Sequence, residues 1–429
     1  VLTRSSEQLL ARHDQARAIQ VAETVINSEQ ASAGQQRVAW TVLAHAHFDL
    51  QDYLQAESAY QQVRQRMSPT SKNYNAINER LAASIYKQGE AAQASGDTLA
   101  AVDHYQRVRQ ATPDASIVAT AEFDAAAALL AMQDWAEATA VLESFRNNHP
   151  NDPRQGEVTR RLAAAYLAEE QPLQAAREFE RIGRGHADPK LRREALWQAA
   201  ELYTTAERYP AAVGLYRDYV EQFPRPLEQA VEARQHIVLH HQRTNNIREQ
   251  QRWLNDIIQA DQHAGTQRTD RTRYLAAHAQ LILAGHAHQQ YRHTSLTLPL
   301  KKSLAIKKRL MDKALQQYDQ AAGYGISEVT TAATYHTAQI YSQLGEALLQ
   351  SQRPGDLSGE SLTQYDILLE EQAYPFEEQA ITLHEVNLQR IETGLYDARI
   401  EKSLQQLAQL VPAQYAKQER GATHVSALE

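Results

Sequence analysis

Seventeen histidines and no cysteine make imidazoles and carboxylates the first chemistry to weigh in this 429-residue chain. Without thiols there is no disulfide, thiolate metal site or cysteine nucleophile. His384-Glu385 begins like the helical zinc motif H-E-x-x-H, but the next required position is Leu388, so one helix turn cannot offer two imidazoles to a metal. Two further clusters are His240-His241 and the group His286, His288 and His293. Side chains two apart on a helix point in different directions, so His286 and His288 cannot chelate together. His286 and His293, seven apart, share a face, but Gln289 and Gln290 complete a poor metal site. These histidines read as solvated or capping residues. A metal-dependent enzyme using the 286–293 region is the weakest of the function classes weighed, and no catalytic residue, metal ligand or cofactor is assigned.

Charge is unevenly spread. Lys301-Lys302, Lys307-Lys308-Arg309 and Lys313 form a basic helix face opposite Leu304, Leu310, Met311 and Leu315. Such a face could meet an anionic membrane or an acidic partner, stay solvated, or pair with acidic residues of its own chain. Residues 354–400 supply candidates: Asp356, Glu360, Asp366, Glu370, Glu371, Glu377, Glu378, Glu385, Glu392 and Asp397 stand against Arg390 and Arg399 alone. That imbalance equals the net charge of the whole chain, −8, which disfavours nucleic acid as a partner. No apolar run approaches the roughly 18 residues that a membrane span needs. The chain opens at Val1 with neither Met nor a signal-like apolar core, as expected of a processed or trimmed piece of a longer protein.

Ala, Gln, Leu and Glu dominate, aromatics reach only 7%, and Gly and Pro are sparse, an all-helix balance. Residues 196–224 show the organising unit. Trp197, Ala200 and Tyr203, then Ala212, Tyr216 and Tyr219, form apolar stripes on two short helices broken at Glu207-Arg208-Tyr209-Pro210 and closed by Pro224. The second-helix alanine recurs every 37 residues at Ala101, Ala138, Ala175 and Ala212, with Tyr105, Leu142, Phe179 and Tyr216 four places later. Prolines fall at Pro113, Pro150 and Pro224, and two places late at Pro189. One more period reaches Trp253, where Glu249 has replaced the alanine. Toward the N-terminus, Ala56 precedes Ala101 by 45 residues, leaving extra length in the 68–77 connection. Residues 3–30 are expected to form a single leading helix. Beyond residue 265 longer helices are expected over 269–291 and 300–322, followed by one carrying Thr334, Ala338 and Tyr341. The turn Pro354-Gly355-Asp356, a helix over 362–372 and a last pair over 375–393 and 396–411 complete the reading. The division expected is 1–36 (leading helix or half-repeat), 37–265 (regular repeats), 266–416 (irregular helical region) and 417–429 (frayed tail).

Trp40, Leu43, Ala44 and His47 on a first helix, with Ala56, Tyr60 and Val63 on a second and Pro69 closing, resemble the tetratricopeptide repeat, whose common length is about 34 residues. The resemblance implies an all-α, right-handed superhelical solenoid of antiparallel helix pairs whose first helices line a concave surface. Side chains one and five places after the tryptophan position of each first helix would then face a bound peptide or helix: Tyr86, Glu90, Phe123, Arg160, Trp197, Glu201 and Arg234. The alternative for Phe123 and Trp197 is packing between repeats.

A second resemblance is carried by the stretch from Ala373-Tyr374-Pro375-Phe376-Glu377-Glu378-Gln379-Ala380-Ile381 through His384-Glu385-Val386-Asn387, Arg390, Gly394-Leu395-Tyr396-Asp397 and Ser403-Leu404. It is similar to the end of the large envelope tetratricopeptide proteins of Gram-negative bacteria that accompany TonB/Tol-type energising systems with ExbB/TolQ-like motors. That implies a non-enzymatic adaptor, periplasmic or associated with the outer membrane, between a proton-driven motor and an envelope partner. The second function class is a structural subunit stacking through its terminal helices.

Overall fold

The computed structural model describes residues 1–416, whose regular structure is all helix with no strand among them. The expected frayed tail, 417–429, lies outside the described residues. Two compact units divide the chain, Val1–Leu215 and Tyr216–Glu429. The first holds α1 (Leu2–Ala11), α2 (Gln15–Ile26), α3 (Ala33–Asp49), α4 (Tyr53–Gln65), α5 (Tyr74–Ala94), α6 (Thr98–Ala111), α7 (Val118–Ala131), α8 (Trp135–Asn148), α9 (Gln155–Ala168), α10 (Pro172–Gly185), α11 (Pro189–Thr205) and the start of α12 (Tyr209–Gln222). The second continues with α13 (Leu227–Arg243), α14 (Ile247–Gln262), α15 (Asp270–Arg292), α16 (Leu300–Ala322), α17 (Ser327–Leu349), α18 (Glu360–Gln389), α19 (Ala398–Leu410) and α20 (Pro412–Tyr415).

One local device makes the hairpins. A residue in the left-handed region ends the first helix at His13, Gln51, Gly96, Gln133, Glu170, Glu207 and Asn245, successive gaps of 38, 45, 37, 37, 37 and 38 residues. The next residue usually caps the second helix: Asp14, Asp52, Asp97, Asp134 and Asn246 each accept from the backbone N–H three places on. This satisfies a donor that the helix start leaves free. Residues 3–30 are therefore two helices, not the single one expected. His13 and Asp14 perform the turn without a Gly or Pro, so the stripe Leu9, Ala16, Ile19 and Ala22 runs on across a break that periodicity does not register.

The repeated alanines Ala101, Ala138, Ala175 and Ala212 are all buried. Where a pair closes most tightly the residue is glycine: a Cβ at Gly89 would stand 2.6 Å from the Tyr105 ring. Ion pairs join helices across the repeats. Arg107 of α6 reaches Glu57 of α4 at 2.5 Å, and Arg146 of α8 reaches Glu178 of α10 at 2.5 Å. Glu122 takes Arg109 and His149 together. These acids are buried, so the pairs act mainly against misregistration, since an uncompensated buried charge costs several kcal/mol.

In the second unit, α18 runs unbroken through Pro375, where the sequence suggested a new helix. Its buried residues Leu369, Ala373, Ala380, His384 and Asn387 stay in one phase across the proline. Pro375 itself is exposed, so the backbone carbonyl it deprives of a partner can turn to water. The other correction concerns the basic helix, α16. Lys307 is only 4% exposed. Its Nζ donates to the carbonyls of Tyr291 and Thr294 at 3.2 and 2.7 Å and sits 4.3 Å from the Tyr291 ring. It closes the end of α15, leaving Lys301, Lys302, Lys308, Arg309 and Lys313 as the solvated basic face.

Candidate functional site

The first helices of the regular hairpins in the first unit, α5, α7, α9 and α11, carry six of the seven expected groove residues. The Tyr86 hydroxyl on α5 donates to Asp124 Oδ2 on α7 at 2.7 Å, and its ring lies 5.3 Å from that of Tyr105. Burial, with Asp124 as acceptor, pushes the Tyr86 phenol well above its ordinary pKa. Glu90, one turn on, pairs with Lys87. The Phe123 ring on α7 meets two guanidiniums, Arg161 of α9 at 4.2 Å and Arg154 at 5.0 Å, and lies 5.9 Å from Phe145. Arg154 is anchored by Asp152 at 2.8 Å, which holds that carboxyl down to about 2.

A register emerges from these contacts. Tyr86 meets Asp124 and Phe123 meets Arg161, each 38 residues further on, so a groove position in one repeat touches the following position in the next. Arg160 joins the same group through Glu157, which it meets at 2.5 Å and shares with Arg161 at 3.0 Å. Trp197 is half-buried on α11, with exposed Glu201 one turn beyond it. Arg234 belongs to the second unit. Its Nη1 donates to the Ala230 carbonyl at 2.8 Å, and desolvation lowers its pKa. Tyr86 and Phe123 are thus committed to neighbouring repeats on one side, while Arg160 and Glu201 face solvent.

Sequence reasoning did not name Asp124, Arg154 or Arg161. The first and last follow a predicted position by one residue, so the repeat template carried the signal. It also missed a cleft of about 570 Å³ in the first unit, lined by Glu7, Arg37, His45, Met67 and Lys72 among others. Its walls come from α3, from α1 and from the long connection before α5, the last two being segments the repeat pattern left unresolved.

The histidines are less solvated than their sequence suggested. His241 and His288 are buried. His288 Nδ1 lies 3.3 Å from the Tyr318 hydroxyl and its Nε2 lies 3.0 Å from Gln343 Oε1. His286 instead pairs with Gln251 at 3.1 Å, and His293 is exposed. His384 is buried against Ser403 at 3.1 Å. Among the described residues no group of three histidine, aspartate or glutamate side chains converges to hold a metal, and no helix is long and apolar enough to cross a membrane.

Residues 78–212 match the YfiO outer membrane lipoprotein family. The matched stretch begins in the second turn of α5 and runs through α11 to the first residues of α12, the most regular hairpins and six of the groove residues. A comparison with curated proteins gave no match. Among solved structures, Naa15/Naa10 bound to HypK-THB is similar at 12% identity over 96% of this chain, with a TM-score of 0.30; this chain spans 63% of the length of that one. The C-terminal part of a TPR repeat-containing protein from Cytophaga hutchinsonii is similar at 15% identity over 62% of this chain and 97% of its own, TM-score 0.25. The P58(IPK) TPR domain is similar at 12% identity over 97% of this chain and 99% of its own, TM-score 0.23.

Proposed function

We propose that the chain is a non-enzymatic protein-interaction scaffold of the bacterial envelope that holds a partner's peptide or helix along the first-helix face of its regular repeats. The observation that carries this reading is the ladder Tyr86–Asp124 and Phe123–Arg161, which fixes α5, α7 and α9 in register and leaves Arg160 of α9 and Glu201 of α11 exposed and Trp197 of α11 half-buried. Fixed charges of both signs flanking aromatic surface suit a peptide laid across several repeats. Replacing Trp197 by Ala together with Arg160 by Glu is expected to abolish partner capture in crosslinking from native envelopes while leaving helicity unchanged. Undiminished capture would move the site elsewhere.

The match to an outer membrane lipoprotein family supports an envelope location, periplasmic or at the outer membrane. The resemblance of residues 373–404 to TonB/Tol-associated repeat proteins supports an adaptor role beside an ExbB/TolQ-like motor. Crosslinking that recovers motor components supports that role, and recovery of envelope proteins without them overturns it. Lys301, Lys302, Lys308, Arg309 and Lys313 are the residues through which an anionic membrane or acidic partner would be met, read out by sedimentation with anionic against neutral vesicles.

A structural-subunit reading draws on one observation. Leu2 on α1 and Leu404 on α19, near the two ends of the helical array through which such a subunit would stack, are exposed. Light scattering discriminates, because a monomer at tens of micromolar, an order-of-magnitude working range, argues against self-assembly.

A further inference from the structure

The second unit contains a cleft of about 780 Å³ that none of the seven groove residues lines. Helices α15, α17 and α19 wall it, with Tyr318 of α16 contributing from one side. Its chemistry is one-sided. Arg292 and Arg399 line it with three histidines and three glutamines, and among the described residues no carboxylate does, in a chain whose net charge is −8.

The charged groups bracket an aromatic middle. The His288 and His336 rings lie 5.9 Å apart, and His336 is stacked on Tyr318 at 5.5 Å. Arg399 stands on the His336 side, its guanidinium 5.7 Å from the Tyr335 ring. Arg292 lies on the His288 side, where its charge helps lower that imidazole's pKa after the larger effect of burial. Burial, then Arg399, lowers His336 to about 4, and burial lowers His288 as well, so the neutral form of both rings is favoured and the permanent positive charge comes from the two arginines. Among the described residues neither guanidinium has a carboxylate partner, unlike those of Arg107, Arg146 or Arg268.

Room is also provided. Gly285, in the middle of α15, lines the cleft, and a Cβ placed there would meet no atom within 4 Å. No packing contact therefore requires a glycine at a helix position where alanine is the better helix former. The residues lining the cleft along α15 and its C-cap run from Leu281 to His293, about 18 Å at 1.5 Å per residue. That length matches five or six extended residues at about 3.4 Å each and exceeds what a small diacid fills.

We infer that this cleft binds an acidic peptide segment in extended form, its carboxylates taken by Arg292 and Arg399 and its apolar side chains by Leu281 and Ile282. Arginine forks favour planar carboxylates, and a neutral imidazole or amide can add a hydrogen bond without adding charge. The cleft is separate from the first-helix face of the first unit and does not depend on it.

The test is fluorescence anisotropy of the full chain with a short labelled peptide of alternating glutamate and leucine, against the same peptide with glutamine for glutamate. Binding at least tenfold tighter for the glutamate peptide is expected; binding of the two within twofold overturns the inference. Arg292→Gln combined with Arg399→Gln should weaken binding at least tenfold. Gly285→Leu, which fills the cleft without touching a charge, should do the same with helicity unchanged, while Gly285→Ala retains binding. Tight binding to both the arginine double variant and Gly285→Leu overturns the assignment. So does loss of binding on replacing Trp197 and Arg160, which would place the peptide in the first unit. Competition by free succinate at the same carboxylate concentration as the peptide would assign the cleft to small acids instead.

Discussion

Replacing Gly89 by alanine sets two effects of one methyl group against each other. Gly89 lies inside α5, where alanine should gain about 1 kcal/mol of helix propensity. The added Cβ, however, would stand 2.6 and 2.7 Å from Cε1 and Cδ1 of Tyr105, where ordinary contact begins at 3.4 Å, so the ring must retreat by about 0.8 Å. Tyr105 is fully buried, and its hydroxyl donates to Gln93 Oε1 at 2.8 Å. Its ring abuts Tyr86, whose own hydroxyl is tied to Asp124 in the next repeat. Overpacking of this kind costs about 1–3 kcal/mol, and loss of the Gln93 bond would add about 1. The net expectation, with the helix gain subtracted, is a destabilisation of about 1–3 kcal/mol. Gly214 on α12 is the control, since a Cβ there meets nothing within 4 Å. Gly214→Ala should therefore stabilise by about 0.5–1 kcal/mol. Urea unfolding followed by circular dichroism should move the midpoint in opposite directions for the two variants, with unchanged slope. Shortening Tyr105 to leucine should relieve part of the Gly89→Ala penalty. If Gly89→Ala proves as stabilising as Gly214→Ala, the close approach inferred between α5 and α6 does not exist.

Other outcomes follow from single contacts. Asp134→Ala removes the side chain that accepts from the Glu137 N–H at the start of α8, and a loss of about 1 kcal/mol is expected in the same unfolding assay. Lys307→Met should cost about 1–3 kcal/mol because one buried and one half-buried carbonyl lose their donor, whereas Lys302→Ala on the exposed face should stay within about 0.5. Burial lowers the fully buried His384 from 6.5 to about 4, so as pH falls the unfolded chain takes up this proton before the folded one. Its contribution is complete above about pH 6.5 and is lost as pH falls toward 4, at up to about 1.4 kcal/mol per pH unit. His384→Gln should flatten the dependence of melting temperature on pH in that window; an unchanged profile would remove His384 as its source.

The architecture was legible where a pattern is local and repeated. The alanine spacing of 37 residues located the hairpins from α5 to α12 because each must bury the same small position against its partner. The long helices α15 and α16 were legible from uninterrupted stripes. Residues 3–30 were misread because His13 takes the left-handed conformation without being glycine, and a turn made by an Asp cap has little effect on hydrophobic periodicity. Pro375 misled in the opposite sense: proline predicts a helix start in isolation, but an exposed proline in a stripe buried against α17 leaves the helix whole.

The sequence by itself determined an all-α repeat, its period, and which first-helix positions are candidates for a partner. Only the tertiary structure decided which of those side chains are spoken for. Tyr86 and Phe123 are held by Asp124, Arg154 and Arg161, while Arg160 and Glu201 reach solvent. It also turned Lys307 inward and brought Arg292, His288, His336 and Arg399 around one cleft. The physical reason is separation along the chain. Periodicity reports which face of its own helix a residue occupies, but a charge or a ring acquires its role from the neighbour it meets, and here that neighbour lies tens of residues away.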